Sequence, residues 1–152
     1  MKERIQYIAL ILLWRSDNMS ESIVLTSSLE DYLETVYFLE TENQDVRVTD
    51  IAIAMNLSKP SVNRAINTLK NAGLINHEHY GGLSLTTDGR KIAKNVAERH
   101  VLLKHFLIDL LEIDEEVAEK EACAMEHAVS QHTMEKLSDY LKKIIDIKNL
   151  HR

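Results

Sequence analysis

The sequence predicts a mainly α-helical protein that also contains a small β ribbon. Three observations support this fold class: apolar residues recur at helical spacing, the chain has only one proline and four glycines, and 5% of its residues are aromatic. A composition this poor in turn-forming and aromatic residues is unlike that of a β-sandwich or barrel. The length of 152 residues allows one domain, or two small ones, with a modest core.

The first regular helix is predicted to follow Ser28, a residue type that commonly caps helix N-termini. Asp31 lies three positions later, where an acidic side chain complements the helix dipole. The apolar residues of the next turns form one helical stripe: Leu29, Leu33, Val36, Tyr37 and Leu39. We therefore expect an amphipathic helix that ends at a turn over residues 43–47.

A helix-turn-helix is predicted over residues 48–75. Thr49 is expected to cap its first helix and Ser58 its second, with Pro60 in the first turn of the second helix, where proline is tolerated. Gly73 is expected to end the second helix as a C-cap. The predicted buried faces are Ile51, Ala52 and Met55 in the first helix and Val62, Ile66 and Leu69 in the second.

Residues 74–86 predict a short two-stranded ribbon. Gly81 and Gly82 supply a tight turn, and Leu83 and Leu85 alternate onto one face. A ribbon that directly follows a helix-turn-helix forms a wing, so the segment predicts a winged helix.

Three further helices complete the predicted order. They cover residues 88–111 after a cap at Thr86 or Thr87, residues 115–129 after Asp114, and residues 131–144 after Ser130. The predicted domains are an N-terminal extension (1–27), a winged-helix DNA-binding domain (28–94) and an all-helical domain (95–152). Because the boundary near Asn95 falls inside a helix, we expect a continuous rod there and not a flexible linker.

The net charge of −6 is unevenly distributed along the chain. Residues 1–46 have three basic and nine acidic side chains, residues 47–94 have seven and three, and residues 95–152 have eight and twelve. A basic middle between acidic ends indicates one segment that binds a polyanion and others that bind cations. A single cysteine forms no internal disulfide, so we expect a reducing, cytoplasmic location.

The extension contains the apolar stretch "YIALILLW". This stretch is far shorter than the roughly 20 residues that span a bilayer, and no small-residue cleavage site follows it. Met19 directly precedes the polar stretch that leads into the first helix. Two interpretations stay open: residues 1–18 are a mis-set start or a dispensable extension, or they form an extra apolar helix that packs on the body or on a partner.

The second helix of a helix-turn-helix places its first turns in the major groove of DNA. Lys59 and Arg64 are expected to reach phosphates, whereas Ser61, Asn63 or Arg64 read base edges. The full predicted DNA-binding set comprises Ser58, Lys59, Pro60, Ser61, Asn63, Arg64, Asn67 and the wing residue Tyr80. The alternative is a solvated polar face on a module that binds other proteins.

The segment "EACAMEH" combines a thiol, a carboxylate and an imidazole at helical spacing. Cys123 precedes Glu126 by three residues and His127 by four, so the three side chains are expected to share one helix face. With partners on two other helices, the candidate metal ligands are Asp31, Glu34, His100, Cys123, Glu126 and His127. Carboxylates and imidazoles suit Mn(II) and Fe(II), a thiolate favours softer ions, and this many oxygens can hold one or two ions.

Each candidate ligand also has an ordinary structural interpretation. Asp31 and Glu34 fit a solvated helix face, and His100 fits a surface or core histidine. Cys123 fits a small buried hydrophobic residue. Only their joint occurrence favours a metal site.

Four blocks in this order resemble the diphtheria-toxin-repressor family of metal-dependent regulators: "SLEDYLETVYFL", "VTDIAIAMNLSKPSVNRAINTLKNAGLI", "YGGLSLTTDGRKIAKNVAERHVLL" and "EACAMEHAVS". The likeness runs from about residue 28 to about residue 141, and the length resembles the two-domain, manganese-transport-regulator branch. The resemblance implies that the winged helix is followed by a helical metal-binding and dimerisation domain.

The resemblance also implies ligands position by position. Five match the manganese branch: Asp31, Glu34, His100, Glu126 and His127. The sixth, Cys123, matches the cysteine of the iron branch, so Mn(II) and Fe(II) both remain candidates. Lys104 and Glu119 stand where the iron branch has the glutamate and histidine of an ancillary site, so that site is expected to be lost.

The implied function is a metal-dependent repressor of metal-uptake genes that binds a palindromic double-stranded operator as a homodimer. No membrane and no small organic substrate are expected to take part. The expected dimer interface contains Leu102, Leu103, Phe106, Ile108 and Leu110. The alternatives are a metal-independent winged-helix regulator and a di-metal enzyme; against the enzyme, the Glu-x-x-His pairs of di-iron bundles are missing.

Overall fold

The structure, a computed structural model, describes residues 25–42, 45–77 and 82–150, with side chains up to residue 144. In chain order the elements are α1 (Ser27–Glu42), α2 (Val48–Ala54), α3 (Lys59–Asn71), β1 (Ile75–His77), β2 (Leu83–Leu85), α4 (Thr87–His105), a π-helical turn (Phe106–Leu110), α5 (Glu115–Glu126) and α6 (Gln131–Leu150). This order confirms the predicted fold class. Residues 1–24 of the predicted extension lie outside the described residues, as does the wing residue Tyr80.

The chain forms two compact units that divide after Ala97. Each unit has its own hydrophobic core. Among the helices in the described part, none combines the length and apolarity needed to cross a bilayer.

The core of the first unit joins α1, α2, α3 and the ribbon. Leu33 and Val36 of α1, Ile51 of α2 and Leu69 of α3 are fully buried. The predicted apolar stripes are therefore confirmed as core-facing, and the burial of such side chains is the main stabilising contribution to the unit.

Two predicted N-caps are wrong. α1 begins at Ser27, one residue before Ser28, and the Thr26 carbonyl accepts the N–H of Leu29 (2.9 Å). α2 begins at Val48, so Thr49 is already inside its first turn. The reciprocal bond of a capping box starts this helix instead: Asp50 Oδ2 accepts the N–H of Arg47 at 2.8 Å.

The boundaries of α3 are confirmed. Ser58 is its N-cap, and the Ser58 hydroxyl accepts the Ser61 N–H (3.4 Å). Gly73 follows the C-cap with a φ of 72°, a left-handed conformation that glycine adopts without steric cost. The N–H of Leu74 donates to the Leu69 carbonyl (2.9 Å), as in a Schellman motif.

The wing is an antiparallel pair of strands in which Ile75 lies opposite Leu85. The N–H of Leu83 donates to the Val46 carbonyl (2.7 Å), which attaches the wing to the turn before α2. Of the predicted turn, Gly82 is described and Gly81 lies outside the described residues. Thr86 caps α4, because its hydroxyl accepts the Gly89 N–H (3.0 Å).

In the second unit, the single helix predicted over residues 88–111 is wrong. α4 ends at His105 and the chain continues as a π-helical turn. Leu107 O accepts the N–H of Ile113 (3.0 Å), and Glu112 lies in the left-handed region with a φ of 55°. This hydrogen bond closes a wider turn than an α-helical one. The left-handed position at the end of the helix is occupied by a glutamate and not by the usual glycine.

The last two helices begin near their predicted positions. Ser130 caps α6, since its hydroxyl accepts the Thr133 N–H (3.2 Å). Asp114 occupies the N-cap position of α5, but its side chain makes no capping hydrogen bond. α5 ends at Glu126, with His127 as its C-cap, so the predicted end at residue 129 is three residues too late.

Part of the predicted dimer interface is buried in the core of the second unit. Leu102 and Leu103 are buried, 2% and 1% exposed, against Ala118, Ala122 and other residues of their own unit. They are therefore core residues and do not form a surface that a second copy of the chain could contact. Phe106, Ile108 and Leu110 are only partly buried against this core, so their role at an interface stays a prediction.

Candidate metal centre and nucleic-acid interface

In the first unit, α1 presents two candidate carboxylates. Asp31 and Glu34 are both half-buried and lie three residues apart on this helix. Side chains at this spacing project from the same side of a helix. The sequence-predicted acid pair is therefore placed on one side of α1.

In the second unit, two candidate imidazole ligands lie on either side of one candidate carboxylate. Glu126, at the end of α5, is 1% exposed. Its Oε2 lies 2.7 Å from Nδ1 of His100, and its Oε1 lies 3.2 Å from Nε2 of His127. Two imidazoles, one on α4 and one at the C-cap of α5, thus flank one buried acid.

The chemistry of this trio fits a divalent metal ion. A buried carboxylate is costly unless it is paired or bound to a cation. Glu126 Oε1 accepts no hydrogen bond of good geometry from the described part of the chain, although His127 is near it. A carboxylate oxygen with unused acceptor capacity between two imidazoles is a donor set that Mn(II), Fe(II) and Zn(II) accept.

Cys123 differs from Glu126 in its surroundings. The thiol is exposed, because the core-facing positions of α5 are taken by Ala118 and Ala122, which are fully buried. The interpretation of Cys123 as a small buried hydrophobic residue is therefore wrong. Its participation in a metal site stays a prediction.

A further acid and a lysine surround His100. Glu119 Oε1 lies 3.1 Å from the Nε2 of His100, and Glu119 Oε2 lies 2.8 Å from Nζ of Lys104. The Lys104 ammonium lowers the pKa of the Glu119 carboxyl, and this hydrogen bond in turn raises the pKa of Lys104. Glu119 is therefore held as a carboxylate beside the histidine.

Lys104 and Glu119 have no predicted role beyond the loss of the ancillary site. Their sequence positions contained a usable signal. His100 and Lys104 are four residues apart on α4, and Glu115 and Glu119 are four apart on α5, so each pair shares a helix face. Lys104 Nζ also lies 3.2 Å from Oε1 of Glu115, which shows that these faces are adjacent.

The candidate DNA-binding residues lie mainly on the exposed side of α3. The exposed members of the predicted set in the described residues are Ser58, Lys59, Pro60, Asn63, Arg64 and Asn67. Ser61 is half-buried, and its hydroxyl lies 2.9 Å from that of Ser58. Lys70 at the other end of α3 donates to the His77 carbonyl (3.0 Å), which ties the recognition helix to the wing.

Two family models match the chain. The first is described as the iron dependent repressor N-terminal DNA binding domain and matches residues 24–83. The second is described as the iron dependent repressor metal binding and dimerisation domain and matches residues 86–145. Together they cover most of the chain in the predicted order.

Curated relatives agree with the family models. The chain is 35% identical over 123 residues to an uncharacterized HTH-type transcriptional regulator of Methanocaldococcus jannaschii, covering 80% of this chain and 98% of the relative. It is 35% identical over 117 residues to the HTH-type transcriptional regulator MntR of Bacillus subtilis, covering 77% and 82%.

Solved structures show the same fold. The manganese regulator SloR matches with a TM-score of 0.69 and 29% identity, covering 77% of this chain and 54% of that one. A manganese-dependent transcriptional repressor in complex with manganese matches with a TM-score of 0.68 and 30% identity, covering 74% and 52%. The chain thus spans about half the length of these solved chains.

These matches confirm the resemblance and favour a regulator over the di-metal enzyme considered from sequence. The winged helix is matched by the DNA-binding model. The buried Glu126 and its neighbours His100 and His127 lie within the residues matched by the metal-binding model. The chain therefore belongs to the iron-dependent repressor family, the family of metal-dependent transcriptional regulators that includes the diphtheria-toxin repressors.

Proposed function

We propose that this chain is a transcriptional repressor that binds double-stranded DNA as a homodimer when Mn(II) or Fe(II) is bound. The main supporting observation is the buried Glu126 carboxylate flanked by the imidazoles of His100 and His127. These residues lie in the segment that matches a metal binding and dimerisation domain. We further propose that the protein acts in the cytoplasm on genes for metal uptake.

The proposed ligands come from both units: Asp31, Glu34, His100, Cys123, Glu126 and His127. A divalent cation, when bound, neutralises these carboxylates and accepts the nitrogen and sulfur donors, as one or two ions. The acids of α1 belong to the unit with the recognition helix, whereas Glu126 and His127 belong to the other unit. Shared ligation would thus restrain the two units with respect to each other.

The choice between Mn(II) and Fe(II) depends on Cys123. Carboxylates and imidazoles serve both ions, whereas a thiolate favours the softer of the two. The solved relatives described above are manganese regulators, which supports Mn(II). The thiol on α5 supports Fe(II), and titration with each ion separates the two.

The DNA side of the proposal rests on α3. Its exposed polar face, with Lys59 and Arg64, faces solvent and is free to enter a major groove. In a symmetric dimer two such helices read two half-sites, so we propose a palindromic operator. Because metal and DNA would bind the same restrained conformer, each is expected to tighten the binding of the other by the same factor.

The test is DNA binding by the full chain, titrated separately with Mn(II) and with Fe(II) without oxygen. Operators are selected from random duplexes in the presence of Mn(II), and binding is measured at fixed salt because phosphate contacts depend on salt. We expect binding that appears with metal and is lost when a chelator is added. If the chain binds DNA equally well with metal and with chelator, it is a metal-independent winged-helix regulator. If it shows no salt-dependent binding to DNA at all, it is a protein-interaction module.

A further inference from the structure

His100 has a carboxylate at each of its two ring nitrogens. Nδ1 lies 2.7 Å from Oε2 of Glu126, and Nε2 lies 3.1 Å from Oε1 of Glu119. The two acids differ in environment: the Glu126 side chain is fully buried, whereas that of Glu119 is 53% exposed. The two nitrogens of one imidazole therefore face an inner acid and an outer acid.

The outer acid, Glu119, is held in place by the ammonium group of Lys104. Lys104 is half-buried, and its ammonium lies 2.8 Å from Oε2 of Glu119. A second contact at 3.2 Å joins Lys104 to Glu115, which is largely exposed. Since Oε2 of Glu119 binds Lys104, Oε1 is the oxygen that faces the histidine.

We propose that Glu119, held by Lys104, is a positioning residue for His100: it accepts the Nε2 proton and so leaves Nδ1, the nitrogen beside Glu126, as the metal-binding atom. This inference rests on the metal site proposed above. In this role Glu119 and Lys104 act through His100 and do not bind the metal ion themselves.

The physical reason lies in the chemistry of imidazole. A ring nitrogen that binds metal has no proton, so the single proton of the neutral ring must lie on the other nitrogen. A carboxylate that accepts this proton fixes the ring orientation and makes the ring a better donor. Lys104 offsets the charge of Glu119 and occupies its second oxygen, which disfavours rotation of Glu119 toward the cation as a ligand.

The first experiment measures Mn(II) affinity by calorimetry for the wild type, Glu119→Ala, Glu119→Gln and Lys104→Met. Outer acids of this kind typically change metal affinity by about 10- to 100-fold. We expect the Mn(II) affinity of Glu119→Ala to fall by this factor. Glu119→Gln should lose less affinity, because its amide oxygen still accepts the Nε2 proton. The affinity of Lys104→Met should also fall.

Glu116→Ala is the matched control. Glu116 lies on the same helix and pairs with Lys120 at 2.9 Å, but both side chains are largely exposed and neither contacts the histidine in the described structure. We expect its Mn(II) affinity to equal that of the wild type. Thermal unfolding of the metal-free proteins establishes that each variant is folded.

The second experiment identifies the bound nitrogen directly. In protein loaded with diamagnetic Zn(II), long-range proton–nitrogen correlation spectra distinguish the two ring nitrogens of His100. We expect Nδ1 to carry the metal and Nε2 the proton in the wild type, and this pattern to weaken in Glu119→Ala.

The outcomes separate the two proposals. A wild type that binds no metal would overturn both of them. If the wild type binds Mn(II) and Glu119→Ala binds it equally well, or if Nε2 carries the metal, only the positioning role is overturned and the proposed function stands.

Discussion

Glu40 on α1 joins the wing to the beginning of α4: its Oε2 lies 2.5 Å from Nη2 of Arg90, and its Oε1 accepts the backbone N–H of Leu85 at 2.8 Å. The Glu40 side chain is only 11% exposed. One carboxylate therefore fixes strand β2 and the first turns of α4 to the helix that also contains Asp31 and Glu34. This contact lies wholly within the first unit.

Replacing Glu40 with alanine should destabilise the DNA-binding unit. The Leu85 N–H loses its side-chain acceptor, and an unsatisfied donor of this kind costs about 1–3 kcal/mol. The free energy of unfolding from urea titration measures the effect. Glu42→Ala, at an exposed position of the same helix, is the control and should change stability by no more than about 0.5 kcal/mol; an equal loss in both variants would contradict the assigned contact.

Gly89→Ala should destabilise the same unit although alanine favours helices. A Cβ at position 89 would overlap the carbonyl oxygen of Leu74, which is backbone and does not move aside easily. Overpacking typically costs about 1–3 kcal/mol and occasionally more. An overlap with backbone is expected at the upper end of this range, above the roughly 1 kcal/mol by which alanine exceeds glycine in helix propensity.

The comparison variant is Gly73→Ala. No atom lies within 4 Å of a Cβ built there, so only the left-handed φ of 72° opposes it, at about 1–2 kcal/mol. We expect both variants to lower the melting temperature. An unchanged or raised melting temperature for Gly89→Ala alone would show that the close approach of α4 to Leu74 is absent in solution, because helix propensity would then favour alanine there.

The winged helix was predictable because its signals are local. The stripe of α3, its Ser58 cap and the left-handed Gly73 are all encoded within 16 residues, and the structure confirms them. The end of α4 was not predictable by the same rules. Glu112 adopts the left-handed conformation without being glycine, and the bond from Ile113 to Leu107 depends on how the second core packs.

The candidate site shows the same division. The contact of Glu126 with His127 was predictable, because the two residues are adjacent in the chain. The contact of Glu119 with His100 depends on the approach of two helices, which no spacing within one helix shows. Burial of Leu102 and Leu103 was also missed, because helical periodicity identifies an apolar face but not the partner that covers it.

Arg64→Ala should weaken DNA binding without changing metal affinity. The guanidinium is exposed on α3, and its Nη2 lies 3.5 Å from the hydroxyl of Ser61, within the predicted reading face. Loss of a side chain that contacts a base costs about 1–3 kcal/mol, or roughly 5- to 150-fold in affinity. Fluorescence anisotropy with the selected operator at saturating Mn(II) measures this change.

Lys136→Ala is the control for Arg64, since it removes an equal charge at an exposed position of α6 in the other unit. Its operator affinity should stay within about twofold of the wild type. If Arg64→Ala binds the selected operator as tightly as Lys136→Ala does, Arg64 is not a DNA-contacting residue.

Glu126→Gln and His127→Ala should abolish metal-dependent DNA binding while leaving the chain folded. The glutamine keeps the size of Glu126 but removes the charge that lies between His100 and His127, so the variant loses an anionic donor that a divalent cation needs. The metal-free protein should stay folded, because the glutamine side chain has the size of the glutamate and its amide can still hydrogen-bond to Nδ1 of His100. His132→Ala, an exposed histidine on α6, is the control and should respond to Mn(II) as the wild type does. The measurement is operator binding across a Mn(II) titration, with circular dichroism as the check on folding. If Glu126→Gln and His127→Ala both respond to Mn(II) as the wild type does, these residues are not part of the metal site. The protein would then be a winged-helix regulator with a different trigger.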